Sequence, residues 1–316
     1  MSYTKAALIM TDNTGNKDYL SVIVFGLMMV LLVVLGGLIA RKWGPYSKTL
    51  AEKVRVMMST DNRPRGEPVL SKNVIGGKAG KALPAAEAMD INGLIEEAKV
   101  FEVGEEKTNY RRWAVALGGV LSIMNGWSGD ILEIKGNRTA EVANLKEMLS
   151  RDWGVNNREE LLEAMTWVAT EGHSREARLY MELSRLYGDL SEDEIKSREP
   201  NIKEEDLRIL RLVKQHKGSL DEKLVYAWDQ GRLVLLVRSG NMVGYLSKKE
   251  AWIILDKNGE VAKKRFSSWE EFGENYALGR EIWGGATKGN QARGLIKILL
   301  STGGWWQVIP WGYSEK

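Results

Sequence analysis

The 316-residue sequence contains no cysteine and only two histidines, His173 and His216. The absence of cysteine excludes disulfide scaffolds, thiolate zinc sites and cysteine nucleophiles, and it is compatible with a reducing compartment. Because two histidines are too few for a histidine-rich centre, we predict no metal site, and no motif indicates a cofactor. Twelve tryptophans against four phenylalanines make the indole the main bulky aromatic group available to a core.

A large excess of one charge is also missing, since the formal net charge is only +3. Domains dedicated to nucleic acids concentrate a basic excess on their folded surface, so we predict no nucleic-acid partner. Hydrophobic residues make up 44% of the chain, which is enough to bury a core and argues against wholesale disorder. No nucleotide-binding loop or nucleophile motif is present, so the sequence leaves open whether the protein is an enzyme.

One long apolar run is present, and it extends from Tyr19 to Ala40 without a charged residue or a proline. As a helix it would span about 30 Å of hydrocarbon at about 1.5 Å per residue. A cleaved signal peptide would need a basic N-terminal region and a shorter apolar core. The sequence therefore predicts a single-pass transmembrane helix over residues 19–40, inserted in the lipid bilayer.

Basic residues on the C-terminal side of this run predict its orientation. Arg41 and Lys42 follow it at once, whereas the charges in residues 1–18 are balanced. Since the basic flank stays in the cytosol, we expect residues 1–18 to form a short extracytoplasmic tail. The expected location is the bacterial cytoplasmic (inner) membrane, with the C-terminal domain in the cytosol.

Residues 41–84 resemble a flexible basic linker. Glu52, Asp61 and Glu67 are outnumbered there by ten basic residues: Arg41, Lys42, Lys48, Lys53, Arg55, Arg63, Arg65, Lys72, Lys78 and Lys81. Such a segment can bind anionic lipid headgroups, at about 1 kcal/mol for each basic residue near the surface. It can equally be a solvated spacer whose charges only enforce the topology.

Residues 85–316 carry repeated helix-start and helix-stop signals. Helix N-caps followed three residues later by glutamate occur at Asn156, Ser191, Ser219, Ser247 and Ser268. Apolar residues then recur at helical spacing, with glycines at the expected ends. A further cap is expected at Ser174, with stops at Gly172, Gly188 and Gly240. The fold class that we predict is all-α: one transmembrane helix followed by a multi-helix globular domain.

Two apolar segments of this domain have specific expectations. The run Leu233–Val237 continues the helical period that begins at Leu224, so we predict a helix surrounded by protein rather than a strand. At the C-terminus, Trp305, Trp306 and Trp311 either pack on the domain or enter the membrane interface.

Several sequence blocks, in order and at consistent spacing, resemble the bacterial family called domain of unknown function 1266. The blocks are Trp153–Arg158, Leu161–Leu162, Trp167, Glu171–His173, Ala227–Asp229 with Arg232 and Arg238, Gly244–Ser247, Glu250–Trp252, Ser268–Tyr276, Gly279–Arg280, Trp283 and Trp306–Trp311. The resemblance covers about residues 113–311. Gly231 departs from the pattern, and so does the N-terminal membrane segment. The resemblance implies a fold and a residue pattern, not an activity.

His173 is the first candidate for chemistry, because it is expected just past a helix end, where the helix dipole would stabilise an imidazolium. Glu171 would then orient it. In a functional interpretation His173 is a general base or a ligand contact; in a structural one it hydrogen-bonds free carbonyls of the helix end.

Charged residues on later helices form the second candidate set. Asp229 and Arg232 are three residues apart and can pair directly. Together with Arg238 and Arg280, they either form a buried ion-pair network with Glu271, Glu274 or Glu281, or line a pocket for a carboxylate or phosphate. The catalytic candidates are His173, Glu171, Asp229 and Glu274; the ligand-binding candidates are Arg232, Arg238 and Arg280.

Two hypotheses of function follow. The first is a membrane-tethered module that binds a protein partner, and it is favoured because no catalytic motif is present. The alternative is an enzyme or a sensor of anionic ligands with a pocket around His173, Asp229 and Arg232.

Overall fold

A computed structural model of the protein describes residues 89–100, 108–134, 138–220 and 223–311. The predicted extracytoplasmic tail 1–18, transmembrane helix 19–40 and basic linker 41–84 lie outside these residues. The part of the chain that the structure describes is helical and contains no strand, which confirms the all-α prediction for the domain. Within the same ranges, no helix combines the length and the apolarity needed to cross a membrane.

Thirteen helices are present in the described residues. The first seven are α1 (Ile91–Glu97), α2 (Asn109–Ala116), α3 (Gly119–Met124), α4 (Arg138–Trp153), α5 (Arg158–Thr170), α6 (Gly172–Tyr187) and α7 (Glu192–Arg198). The remaining six are α8 (Glu204–Gln215), α9 (Lys217–Leu220), α10 (Tyr226–Val243), α11 (Lys248–Arg265), α12 (Trp269–Leu300) and α13 (Trp305–Val308).

Helix α10 is the central element, and it packs against α5, α11 and α12. Nearly all its side chains are buried, as predicted for the segment Leu233–Val237. The predicted end at Gly240 is wrong, because the helix continues to Val243 and is closed by Gly244 in the left-handed conformation. Gly240 instead lies where α10 crosses α5: a Cβ atom there would come within 2.3 Å of Leu161.

Local capping chemistry fixes several helix starts as expected. Ser191 and Ser247 each form a complete capping box with the glutamate three residues later. Ser268 accepts a hydrogen bond from the backbone of Glu271 at the start of α12. The start of α5 lies one residue later than predicted, because Asn157 rather than Asn156 is the cap.

Helix α12 is bent. It extends from Trp269 to Leu300 with a break at Gly285, where φ is 77°. The guanidinium of Arg208 donates to the carbonyl of Glu281 at 3.1 Å and to that of Ile282 at 2.5 Å. These contacts satisfy carbonyls that the break leaves without a helical partner.

The C-terminal tryptophans pack on the domain. Trp306 is 2% exposed and its indole nitrogen donates to the carbonyl of Ala116 at 2.8 Å. Its ring stacks on that of Trp269 at 4.7 Å, and Trp311 meets Trp269 edge-on at 4.8 Å. Because these side chains fill an aromatic core, Trp306 and Trp311 have their contacts inside the protein.

An ion pair joins α5 to the start of α11. Arg158 donates to Glu250 at 2.5 Å and to the carbonyl of Tyr245 at 2.5 Å. Burial raises the pKa of Glu250, but hydrogen bonds from Arg158 and Ser247 outweigh it and hold the pKa below its ordinary value.

This lowered pKa predicts how the contribution of Glu250 varies with pH. The charged form is favoured in the folded state, so the stabilisation is present above the ordinary carboxyl pKa and is lost as the pH falls through the folded one. We expect Glu250→Gln, which keeps the capping box, to lower the free energy of unfolding by about 1–2 kcal/mol at neutral pH. Denaturant titrations of both proteins should show this difference shrinking below about pH 4. A difference that stays constant down to about pH 3 would contradict it.

Candidate functional site

The candidate site is built around Asp229, whose carboxylate is buried at the start of α6. One oxygen accepts the backbone N–H of His173 at 3.0 Å. The other accepts the backbone N–H and the hydroxyl of Ser174, at 2.9 and 2.8 Å. Burial raises the pKa of Asp229, while Arg232 and these donors act in the opposite direction. An acidic group from α10 therefore caps α6, at the helix end where the dipole favours negative charge.

Ser174 is therefore not the cap that the sequence suggested. Helix α6 begins two residues earlier, at Gly172, and Ser174 lies in its first turn. Gly172 has φ of +50°, and a Cβ atom there would lie 2.5 Å from the carboxylate carbon of Asp229. Only glycine fits at this position, because both the backbone conformation and the approach of the carboxylate exclude a side chain.

Arg232 lies one turn further along α10, and its guanidinium is enclosed by three indoles. The guanidinium carbon is 4.7 Å from the ring centre of Trp153, 5.4 Å from that of Trp167 and 5.2 Å from that of Trp228. Its Nη1 is 3.5 Å from Asp229. Arginine is the cation suited to such a site, because its flat, weakly hydrated guanidinium stacks on aromatic rings while its N–H groups pair with a carboxylate. We call this arrangement the tryptophan cage: Trp153, Trp167 and Trp228.

His173 completes the cluster, and its environment differs from the prediction. It lies just past the end of α5 at Thr170, as expected, but it also lies in the first turn of α6, whose N-terminal dipole disfavours an imidazolium. Its Nδ1 is hydrogen-bonded to Nη1 of Arg232. Arginine has only donors, so Nδ1 is the acceptor and the proton of the neutral ring is on Nε2. Trp283 meets the ring edge-on at 4.5 Å, and the side chain is 17% exposed.

Arg280 is distant from Arg232 in the sequence, but it lies close to the cluster in space. Its guanidinium carbon is 4.9 Å from the ring centre of Trp228, which Arg232 also contacts. Tyr276 meets Trp228 edge-on at 5.1 Å, and burial raises the pKa of its hydroxyl. Gly231, which departs from the family pattern, gives Tyr276 room: a Cβ atom there would come within 2.8 Å of the tyrosine ring.

The structure separates the other candidates from this cluster. Arg238 donates to the carbonyl of Leu132 at 3.1 Å and to the hydroxyl of Ser122 at 2.9 Å, rather than to the glutamates suggested by the sequence. Burial lowers its pKa to about 10, so it remains charged at neutral pH. Glu274 is 61% exposed and pairs with Arg293 at 3.0 Å. Glu171 pairs with Arg175 at 2.5 Å, in an exposed position.

Sequence reasoning missed the tryptophan cage and the role of Ser174. Trp153, Trp167 and Trp228 were noted only as parts of the family pattern. Their separation along the chain carries no signal of a common position, because three different helices or helix ends bring them together. A buried arginine accompanied by several tryptophans is the feature that can suggest such a cage from sequence.

Next to the cluster, an open groove of about 520 Å³ runs between α1 and α5. Leu162 and Trp167 supply its apolar surface. Its lining residues are Asn92, Glu159, Leu162, Glu163, Thr166, Trp167, Thr170 and Glu171. Trp167 thus belongs both to the tryptophan cage and to the groove. In the described ranges, no three histidine, aspartate or glutamate side chains converge as a metal site requires.

The fold and this cluster define an all-helical domain with a buried aspartate–arginine–histidine group, sealed by tryptophans. The chain belongs to the family described as Protein of unknown function (DUF1266), whose model matches residues 148–311. The aspartate, the arginine, the histidine and the tryptophan cage all fall inside that match. The partners of Arg238 at Ser122 and Leu132 lie outside it.

Two proteins of Escherichia coli (strain K12) are similar to this chain, and both are uncharacterised. YbeU is 29% identical over 136 residues, and YbeR is 26% identical over 136 residues. Each match covers 43% of this chain and 56% of the relative, so the chain spans about half the length of these relatives. No solved structure matches the chain.

Proposed function

We propose that the protein is a membrane-tethered module that binds a protein partner at the cytosolic face of a bacterial inner membrane. The tether is supported by the sequence of residues 19–40 and by the basic flank that follows. In the same proposal, residues 41–84 lie along anionic lipid headgroups.

One observation supports the binding function: the buried cluster is closed to ligands, whereas the groove beside it is open. Both carboxylate oxygens of Asp229 have donors, and Arg232 is held among three indoles. An enzyme or a sensor of anionic ligands would need an opening onto Arg232, whose side chain is only 10% exposed. Instead, one side of Trp167 packs against the cluster, and its other side faces the open groove. Rigid, half-buried aromatic residues of this kind are typical of protein-binding surfaces.

A pull-down of the full-length protein from its native membrane in mild detergent tests this proposal. We expect a stoichiometric protein partner that resists salt washing, identified by mass spectrometry. The protein should also stay in the membrane fraction after a carbonate wash, whereas Val30→Arg, which places a charge within the predicted span, should reduce that fraction. Recovery of the protein alone would contradict the binding function, and extraction by carbonate would contradict the tether.

A further inference from the structure

We infer that the chain exchanges the second half of α12 (residues 286–300), together with α13, with a second copy of itself in a domain-swapped dimer. In the monomer, α12 is folded back at Gly285. In the dimer it is one straight helix, and its second half packs on the other copy. The exchange depends neither on the membrane tether nor on the groove, so it goes beyond the proposed function.

The two halves of α12 form an antiparallel hairpin. Arg293 pairs with Glu274 at 3.0 Å and with Glu281 at 2.7 Å. In a straight helix, Glu274 and Arg293 would lie about 28 Å apart along the axis. Nearer the ends of the hairpin, a Cβ atom on Gly273 would come within 2.8 Å of the side chain of Ile296. The break at Gly285 therefore reverses the direction of the chain.

A single residue separates this hairpin from a continuous helix. From Trp269 to Leu300, Gly285 alone has backbone angles that are not helical, with φ of 77° and ψ of 173°. This combination is accessible essentially to glycine only. A change of two dihedral angles thus converts α12 into one helix of 32 residues while both halves stay helical. Short, strained hinges of this kind favour domain swapping.

The backbone groups at the hinge have partners in both forms. In the hairpin, Arg208 donates to the carbonyls of Glu281 and Ile282. In a straight α12, the same carbonyls would accept the N–H groups of Gly285 and Ala286, four residues further on. Straightening therefore leaves neither carbonyl without a donor. Because Arg208 binds these carbonyls only in the hairpin, it favours the monomer.

The contacts of the exchanged segment would be retained between the two copies. Trp306 stacks on Trp269 at 4.7 Å, and Arg293 pairs with Glu274. When two straight helices lie antiparallel about a two-fold axis, each of these contacts recurs between one copy and the other. The helices would cross at the segment Gly284–Ala286, which has no bulky side chain to keep the backbones apart.

Chemical cross-linking of two full-length variants tests the inference, and the absence of native cysteine makes each introduced thiol unique. Glu274→Cys and Arg293→Cys are expressed together in one membrane, on chains with different tags, and treated with a short bismaleimide. We expect a covalent link between the two chains, because position 274 of one copy faces position 293 of the other. Two chains that both carry Glu274→Cys should not be linked, since in the swapped pair these positions lie about 33 Å apart.

Gly285→Ala and Arg208→Met should shift the equilibrium towards the dimer. Alanine disfavours the hinge conformation and favours the straight helix, so Gly285→Ala should raise the ratio of linked to unlinked chains about 10-fold. Arg208→Met should raise it several-fold, and it tests the inference even if the alanine variant folds poorly.

Two matched controls should change the ratio less than about 2-fold. Gly294→Ala alters a glycine of the same helix that has helical angles and an open Cβ position, so both forms are affected equally. Arg211→Met removes a 60% exposed arginine of α8 that pairs with Glu192 rather than with α12. Absence of the link between wild-type-hinge chains, or a yield that Gly285→Ala leaves unchanged, would overturn the inference.

Discussion

Arg232→Met is expected to lower the free energy of unfolding by about 3 kcal/mol. The substitution keeps an apolar side chain among the indoles but removes the cation beside Asp229, which is 3% exposed. Removing one partner of a buried pair leaves the other charge uncompensated, and the Nδ1 of His173 loses its donor as well. Thermal unfolding followed by tryptophan fluorescence should show a midpoint lower by about 10 °C, given the size of the domain.

Two further substitutions test whether the loss of stability in Arg232→Met comes from the specific contacts of this arginine. Arg232→Lys keeps the charge but cannot stack a flat group against three rings, so it should recover less than half of the loss. Arg175→Met removes an arginine that is 71% exposed and should change stability by less than about 0.5 kcal/mol. An Arg232→Met protein as stable as the wild type would show that the cluster is not a structural element and would reopen the ligand-binding interpretation of Arg232.

Gly172→Ala is expected to lower the free energy of unfolding by a similar amount, about 3 kcal/mol, for a different reason. An alanine must adopt a positive φ, which costs about 1 kcal/mol, and its methyl group would also meet the carboxylate of Asp229. The carboxylate can move only by giving up its hydrogen bonds to His173 and Ser174. Chemical denaturation with urea measures the change directly.

Gly244→Ala is the matched control. Gly244 also has a positive φ, of +84°, but apart from its two chain neighbours no residue comes within 4 Å of the Cβ position. Gly244→Ala should therefore lower the free energy of unfolding only by the cost of the positive φ, about 1 kcal/mol. If both variants lost the same stability, the close approach of Asp229 to Gly172 would contribute nothing, and the buried carboxylate would have room to move.

Some features of the domain follow from sequence because they depend on residues close together in the chain. The capping boxes at Ser191 and Ser247 need only a side chain and a backbone group three residues apart. The same holds for Ser268 and for the helix stop at Gly188. Periodicity also predicted that the segment Leu233–Val237 is helical and buried, since apolar residues occur all around that helix.

Other residues could not be placed because their role depends on a partner distant in the chain. Gly240 looks like a helix stop, but it serves the crossing of α10 with α5. Ser174 looks like a cap, yet the cap of α6 is Asp229, 55 residues away. Arg232 and Arg238 are both buried, but Arg238 donates to the carbonyl of Leu132 and the hydroxyl of Ser122, while Arg232 enters the tryptophan cage.

The sequence by itself determined that the described domain is helical and which family it belongs to, because periodicity, capping and residue pattern are properties of the chain order. Tertiary structure alone decided that Asp229, Arg232 and His173 meet, that Arg238 and Glu274 lie apart from them, and that Trp167 faces a groove. The physical reason is that burial and pairing of charged groups depend on which helices pack together. Packing brings together residues such as Trp153 and Trp228, whose separation in the sequence does not indicate their distance in space.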